Sequence, residues 1–271
     1  MQVINKDTQL CMSLAARPGN FGTRFHNFLY QELGLNYIYK AFTTRDLPAA
    51  IAALRALGIR GCAISMPFKE AAIPLVDSLD ASAAAIDSIN TIVNDDGTLR
   101  AYNTDYVAVR TLIEREGLPR DARVVLRGSG GMAKAVATAF RDAGFSAGHI
   151  VARNAAAGRV LVERCGYGWS EDVPEGGDIL VNVTPIGMAG GAESELLAFT
   201  VDAVAQARVV FDVVALPVET PLIRAARAAG KPVISGIDVL AIQALEQFAL
   251  YTGVRPGADA VARAVAFARD A

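Results

Sequence analysis

The sequence predicts an α/β protein of two lobes, and three observations carry that prediction. Apolar runs of strand length alternate with helical patterns along most of the chain. The rhythm then changes near residue 104, where a long helical stretch precedes a series of continuous apolar runs suited to a parallel sheet covered on both faces. The first of these runs, Val124-Val125-Leu126-Arg127, stops at Gly128-Ser129-Gly130-Gly131-Met132-Ala133, and a helical pattern starts at once. Strand, tight turn and helix in that order, with Gly128, Gly130 and Ala133 at the G-x-G-x-x-G/A positions, are the fingerprint of a Rossmann-type dinucleotide-binding domain. Gly128 makes the turn, Gly130 lets backbone approach a pyrophosphate, and Ala133 lets the helix lie close on the sheet. The free N–H groups at the helix start then face the phosphates. A plain tight turn between strand and helix is the alternative reading of the same residues.

The elements follow in order. Leu10 to Ala15 reads as a buried strand, and Arg17-Pro18-Gly19-Asn20 as a turn. From Phe21 to Leu33 the apolar Phe25, Phe28 and Leu29 share a helical face that ends at Gly34. Tyr37 to Thr43 is a second strand. Asp46 is an N-cap for a helix carrying Leu47, Ile51, Leu54 and Leu57, closed by Gly58. Arg60 to Met66 forms a third strand, broken by Pro67, and short helical pieces continue through Ala85. Ile89 to Asn94 and Leu99 to Tyr102 flank Asp95-Asp96-Gly97 as a β-hairpin. A helix over Thr104 to Gly117 turns Val107, Leu112 and Ile113 inward. Strands at 123–127, 148–152, 178–183, 208–213 and 232–234 then alternate with helices. Gly187-Met188-Ala189-Gly190-Gly191-Ala192 is expected to be a mobile loop. Helices over Val239–Tyr251 and Ala258–Ala268 either cap the second lobe or return to the first.

Bulk properties narrow the function. With 52% hydrophobic and 20% charged residues the 271-residue chain has material for a sizeable core and is not disordered. A net charge of −2 argues against nucleic acid or an anionic membrane surface as partner. Cys11, Cys62 and Cys165 are odd in number and far apart, which points away from disulfides and structural zinc and towards a reducing compartment. Met1-Gln2-Val3-Ile4 lacks the basic start and apolar core of a signal peptide, and no apolar run approaches a membrane span. The expectation is a cytoplasmic protein acting on a small molecule, with nothing that specifies an oligomeric state.

Two constellations can carry chemistry. The second strand of the dinucleotide lobe, His149-Ile150-Val151-Ala152, ends at Arg153-Asn154. An acidic residue at that corner would hold the ribose 2′-hydroxyl of NAD, whereas an arginine suits a 2′-phosphate and favours NADP. A solvated surface arginine is the alternative. The second constellation is Ser65-Met66-Pro67-Phe68-Lys69 with Asn90-Thr91 and Asn103-Thr104-Asp105. In carbonyl reduction an ammonium can protonate or polarise the oxygen while a carboxylate holds the lysine in place. A surface Lys69 and an Asp105 that only caps a helix are the plainer reading. His26 is expected to be structural and His149 solvent-facing, with Trp169 and the tyrosines in packing. Two histidines and no Cys/His cluster give no metal site.

Taken together, the chain resembles the shikimate dehydrogenase family, in its shikimate 5-dehydrogenase-like branch. The resemblance runs through Phe25-His26-Asn27, Ser65-Met66-Pro67-Phe68-Lys69, Ile89-Asn90-Thr91, Asn103-Thr104-Asp105 and Gly128-Ser129-Gly130-Gly131-Met132-Ala133. It continues through Asn182-Val183-Thr184-Pro185-Ile186-Gly187-Met188, Asp212-Val213-Val214 with Pro217, Thr220-Pro221-Leu222, Gln243 and Gln247-Phe248. It implies an NADP-dependent enzyme that reversibly reduces a cyclic keto acid such as 3-dehydroshikimate. It also implies that Lys69 and Asp105 are the catalytic pair. Ser65, Asn90 and Gln243 would bind substrate hydroxyls. Cofactor contacts would fall at Gly128, Ser129, Gly130, Gly131, Met132, Arg153, Asn154, Thr184, Val213 and Gly236. The implied domains are 1–103, completed by 237–271, for substrate and catalysis, and 104–236 for NADP.

Departures from the family pattern cluster at ligand contacts. Two serines that bind the substrate carboxylate are Asn20 and Gly22 here. One lost bond to a charged group is worth roughly 1.5–3 kcal/mol, about ten- to a hundred-fold in affinity. A family tyrosine is Ala215, a glycine is Asp238, and the second cofactor arginine is Ala157, with Arg159 as a candidate substitute. The sequence therefore predicts retained carbonyl-reductase chemistry with weak activity on shikimate, or another hydroxy acid such as quinate or aminoshikimate. A dinucleotide sensor without turnover is the alternative of another class, and the intact Lys69 and Asp105 argue against it.

Overall fold

The strand Gln9–Leu14 (β1) anchors the first sheet. The structure, a computed structural model, describes residues 4–269, so the Met1-Gln2-Val3 part of the amino-terminal reading lies outside the described residues. After β1 come α1 (Phe21–Glu32), β2 (Tyr37–Phe42), α2 (Leu47–Ala56), β3 (Gly61–Ile64), β4 (Ser78–Leu79), α3 (Ala81–Ala84), β5 (Thr91–Asp95) and β6 (Thr98–Tyr102). They form a mixed sheet in the order β2-β1-β3-β5-β6-β4. Asp46 caps α2 as expected, its carboxylate accepting the Ala49 N–H at 2.9 Å. The β5–β6 hairpin turns through Asp96 (φ 49°) and Gly97 (φ 90°), both left-handed, as a two-residue loop between twisted strands demands. The two-residue β4 has no periodicity to announce it. Backbone pairing with β6 holds it, and Asp77 beside it accepts the Leu99 N–H at 2.7 Å and pairs with Arg55 at 2.7 Å.

The second sheet is wholly parallel. Its elements are α4 (Thr104–Arg115), β7 (Val124–Arg127), α5 (Gly131–Asp142), β8 (Gly148–Val151), α6 (Ala155–Cys165), β9 (Gly168–Ser170), β10 (Ile179–Asn182), α7 (Val201–Gln206), β11 (Val209–Asp212), α8 (Pro221–Ala228) and β12 (Val233–Ser235). The order β12-β11-β10-β7-β8-β9 is the doubly wound Rossmann arrangement, and the crossover direction switches between β7 and β10. The inner strands are buried on both faces, which is why they read as unbroken apolar runs.

Two expectations need correction in this sheet. His149 is not solvent-facing. It is half-buried and its Nε2 lies 2.7 Å from Ser170 Oγ, tying β8 to β9, an edge strand too short for its sequence to reveal. The loop around Gly187 to Ala192, expected to be mobile, has its backbone tied down. Gly187 N–H reaches Glu193 O at 2.9 Å, Met188 N–H reaches Pro185 O at 3.0 Å, and Ala189 N–H reaches Leu216 O at 2.9 Å.

The chain closes with α9 (Gly236–Thr252) and α10 (Ala258–Arg269). Its contacts divide it into two units, one running to Thr104 and resumed from Ala241, the other spanning Asp105–Leu240. The C-terminal helices thus pack back on the first lobe. Tyr251 of α9 lies flat on β3, where a Cβ at Gly61 would come within 2.2 Å of its ring. From α1, Arg24 donates to Phe267 O of α10 at 2.9 Å and stacks over the Phe267 ring. Between them His26 is fully buried, stacked on Tyr39 at 4.5 Å and beside Phe248. The Gln247 amide nitrogen donates elsewhere, to Asn90 O and Thr91 Oγ1. Neither ring nitrogen of His26 has a hydrogen-bond partner among the described residues. Burial holds this imidazole down to about 3, so it is neutral and structural. Among the described residues no helix is long and apolar enough to cross a membrane.

Candidate active site

In the first unit the candidate residues gather where β3 ends and β5 begins. Ser65 follows β3, its N–H bonded to Leu14 O at 2.9 Å and its side chain exposed. The chain then turns through Pro67 so that Lys69 O accepts the Ile89 N–H at 3.1 Å, which brings half-buried Lys69 beside Asn90. Asn90 is the hub. Its Oδ1 accepts from Thr91 Oγ1 at 2.8 Å, Thr104 N–H at 2.8 Å and Thr104 Oγ1 at 3.1 Å. That oxygen is fully committed inside the protein, and the amide NH2 is the part of Asn90 suited to meet a substrate hydroxyl.

The bond to Thr104 N–H satisfies a donor in the first turn of α4, and Asp105 is the next residue. Asp105 is 8% exposed, an acidic side chain in the first turn of α4. From α9, Gln247 Nε2 donates to Thr91 Oγ1 at 3.0 Å and to Asn90 O at 3.3 Å. Gln243, one turn earlier at the i−4 position, lies on the same helix face. Thr91, Thr104 and Gln247 support this hub and were missed as site residues, although all three stand in motifs quoted for the resemblance. At the start of α1 the Asn20 side chain makes no capping bond and is exposed, and Gly22 offers no side chain.

In the second unit the glycine turn has the form a dinucleotide requires. Gly128 has φ 130°, and a Cβ there would lie 2.7 Å from Val183 Cγ2 and 2.9 Å from Val183 O, so only glycine fits between the ends of β7 and β10. By contrast, a Cβ on Gly130 or Gly131 would meet nothing within 4 Å. The first turn of α5, with half-buried Ser129 and Met132 beside it and Ala133 fully buried behind it, opens onto free space at the switch point. These residues fit NADP at the place where doubly wound sheets bind it.

The other cofactor candidates divide by what their side chains do. Arg153, at the end of β8, is 84% exposed and has Glu193 Oε1 3.9 Å away. Asn154 uses its side chain to cap α6, accepting Ala157 N–H at 3.0 Å. Arg159, the candidate substitute, lies over the Trp169 ring at 5.7 Å. The Thr184 hydroxyl donates to Asn182 Oδ1 at 2.6 Å and accepts Ile186 N–H at 3.2 Å. Val213 is fixed through its N–H to Asn182 O at 3.0 Å. Gly236 is needed for backbone packing, since a Cβ there would lie 2.3 Å from Val214 C.

A buried network shapes this end of the sheet. Asn182 Nδ2 donates to Asp212 Oδ1 at 2.9 Å, and Thr220 Oγ1 donates to Asp212 Oδ2 at 2.6 Å. Burial pushes the Asp212 carboxyl up, and its bonds to Thr220, Val214 N–H and Asn182 oppose that. The network joins the ends of β10 and β11 that carry Thr184 and Val213.

The chain is similar to known proteins along nearly its whole length. The shikimate dehydrogenase substrate binding domain matches residues 21–92. A shikimate dehydrogenase-like protein of Haemophilus influenzae is 58% identical over 268 residues, covering 98% of this chain and 99% of the relative. The shikimate dehydrogenase (NADP(+)) of Moorella thermoacetica is 38% identical over 246 residues, covering 84% and 82%. A solved shikimate 5-dehydrogenase of Thermus thermophilus, in complex with NADP(H) and shikimate, superposes with TM-score 0.85 at 27% identity, covering 96% of this chain and 99% of that one. With an α/β substrate lobe, a Rossmann lobe and full-length relatives of this kind, the chain belongs to the shikimate dehydrogenase family.

Proposed function

We propose that this chain is an NADP-dependent oxidoreductase that interconverts 3-dehydroshikimate and shikimate, or a close analogue of that pair. Residues 1–103 with 237–271 act as the substrate and catalytic lobe, and 104–236 as the cofactor lobe. The observation that carries the reading is the Ile89-Asn90 segment, whose Ile89 N–H bonds Lys69 O and whose Asn90 Oδ1 accepts the Thr104 N–H at the helix start bearing Asp105. NADPH, held by the Gly128–Met132 turn and Arg153, supplies the hydride when bound. The Lys69 ammonium donates a proton to the substrate carbonyl oxygen as charge develops there, and the amine takes it back in the oxidation direction. The Asp105 carboxylate stabilises that ammonium. Ser65, the Asn90 amide and Gln243 orient the ring hydroxyls, which fixes the carbonyl in the reactive geometry.

Asn20 and Gly22 favour a second reading, in which the preferred ligand is a different hydroxy acid of the same class, such as quinate or aminoshikimate. The reaction belongs to the cytoplasm, with a small molecule as the partner. The test is a panel of cyclic keto and hydroxy acids assayed with NADP and NAD, for the parent protein and for Lys69→Ala. Turnover by the parent, with kcat in the variant lower by about a hundred- to ten-thousand-fold and KM little changed, supports the reading. A parent that turns over no member of the panel overturns it.

A further inference from the structure

The corner that reads the adenosine ribose contains a charge of the wrong sign for a phosphate. Arg153 leaves β8 at the position where a Rossmann domain distinguishes a 2′-phosphate from a 2′-hydroxyl. Glu193 reaches the same corner from the segment after β10, with Oε1 3.9 Å from Arg153 Nη1 and the carboxylate about one-third exposed. Arg127, at the end of β7, lies within electrostatic range of both, but its guanidinium is half-buried and donates to Ala198 O. Arg159 is drawn to the Trp169 ring. Arg153 is thus an exposed guanidinium at the end of β8, and a carboxylate stands beside it.

We infer that Glu193 is a specificity residue which weakens the preference for NADP over NAD by repelling the 2′-phosphate and accepting a hydrogen bond from the 2′-hydroxyl. The inference rests on the cofactor reading above. In the free protein the carboxylate partly neutralises Arg153. When a 2′-phosphate arrives, Arg153 can serve it only while Glu193 remains close to both. A dianion roughly 6 Å from a carboxylate in near-aqueous dielectric is repelled enough to lower affinity about tenfold. For NAD the same carboxylate plays the part of the acidic residue that NAD-preferring Rossmann domains place at this corner. The Glu193 backbone supports the loop independently, because its carbonyl accepts the Gly187 N–H at 2.9 Å. Removal of the side-chain charge therefore leaves the loop's main-chain anchor in place.

The experiment measures dissociation constants for NADPH and NADH by calorimetry at low and high salt, for the parent, Glu193→Gln and Glu193→Ala. Both variants should raise the NADPH-to-NADH affinity ratio about tenfold, through tighter NADPH and weaker NADH, and the NADPH gain should shrink with added salt. If the parent binds NADPH but both variants keep its ratio within about twofold, Glu193 is not a specificity residue and the cofactor reading stands. If the parent binds neither nucleotide, the cofactor reading fails and takes this inference with it.

Discussion

Replacing Asn90 by Ala removes the acceptor of three buried hydrogen bonds at once. The hydroxyls of Thr91 and Thr104 can turn towards each other, 3.4 Å apart, and Thr91 keeps its bond from Gln247. The Thr104 N–H has no such recourse at the buried first turn of α4. An orphaned buried donor costs about 1–3 kcal/mol, and the weakened hydroxyl pair adds about 1 kcal/mol. The expected loss is therefore about 2–4 kcal/mol, or roughly 4–12 °C in melting temperature for a chain of this size. Because Asp105 rides on the same turn, kcat should fall in parallel. Asn90→Asp is the informative control, since it keeps an acceptor oxygen for the Thr104 N–H but exchanges the NH2 for a second oxygen that carries charge. It should raise KM for the hydroxy acid at least about tenfold, because the donor to the substrate hydroxyl is gone. Chemical denaturation and steady-state kinetics on both variants provide the readout. An Asn90→Ala protein within about 0.5 kcal/mol of the parent and with the parent's kcat would refute the hub.

Further outcomes follow from single residues. Gly128→Ala forces a side chain into φ 130° against Val183 and should cost about 1–3 kcal/mol in stability and weaken NADPH binding, checked by melting and by fluorescence titration. Gly22→Ser places its Cβ 3.5 Å from Tyr39 Oη, an ordinary contact, so it should fold normally. It should also tighten shikimate about tenfold if the substrate carboxylate sits where the family resemblance puts it; unchanged affinity would move that carboxylate elsewhere. His26 has its folded-state value depressed to about 3 from an ordinary value of 6.5, so the unfolded chain binds the extra proton between these limits. Its contribution is fully present above pH 6.5 and is lost as pH falls, by about 1.4 kcal/mol per unit. His26→Phe should remove that slope from the acid limb of stability measured by denaturant titration, and an unchanged slope would show that the imidazole is not buried neutral.

Much of this architecture could be read directly from residue patterns. The Rossmann lobe announces itself because strands buried on both faces must be apolar throughout and because Gly128 admits no other residue. The Asp46 cap and the Asp96-Gly97 turn are local chemistry and are equally plain. Strands β4 and β9 are not legible because two or three residues at a sheet edge carry no period, and pairing with β6 and β8 is what holds them. Within the proposed site, Lys69, Asn90 and Asp105 could be named from the sequence as candidates. What was hidden was the use of each atom. The Asn90 oxygen serves the protein, Asn154 caps a helix, and Gly236 is glycine because Val214 lies against it. Glu193 was invisible because it reaches Arg153 from a segment forty residues further along the chain.

The most direct test of the central claim is isotopic. NADPH carrying deuterium at both C4 positions is incubated with the parent and with each ketone of the panel, and the product hydroxy acid is weighed by mass spectrometry. The account predicts one deuterium on the carbinol carbon of the product from the parent, and transfer slowed by at least about a hundredfold in Lys69→Ala. Deuterium in no product, or transfer by Lys69→Ala at the parent's rate, would contradict it.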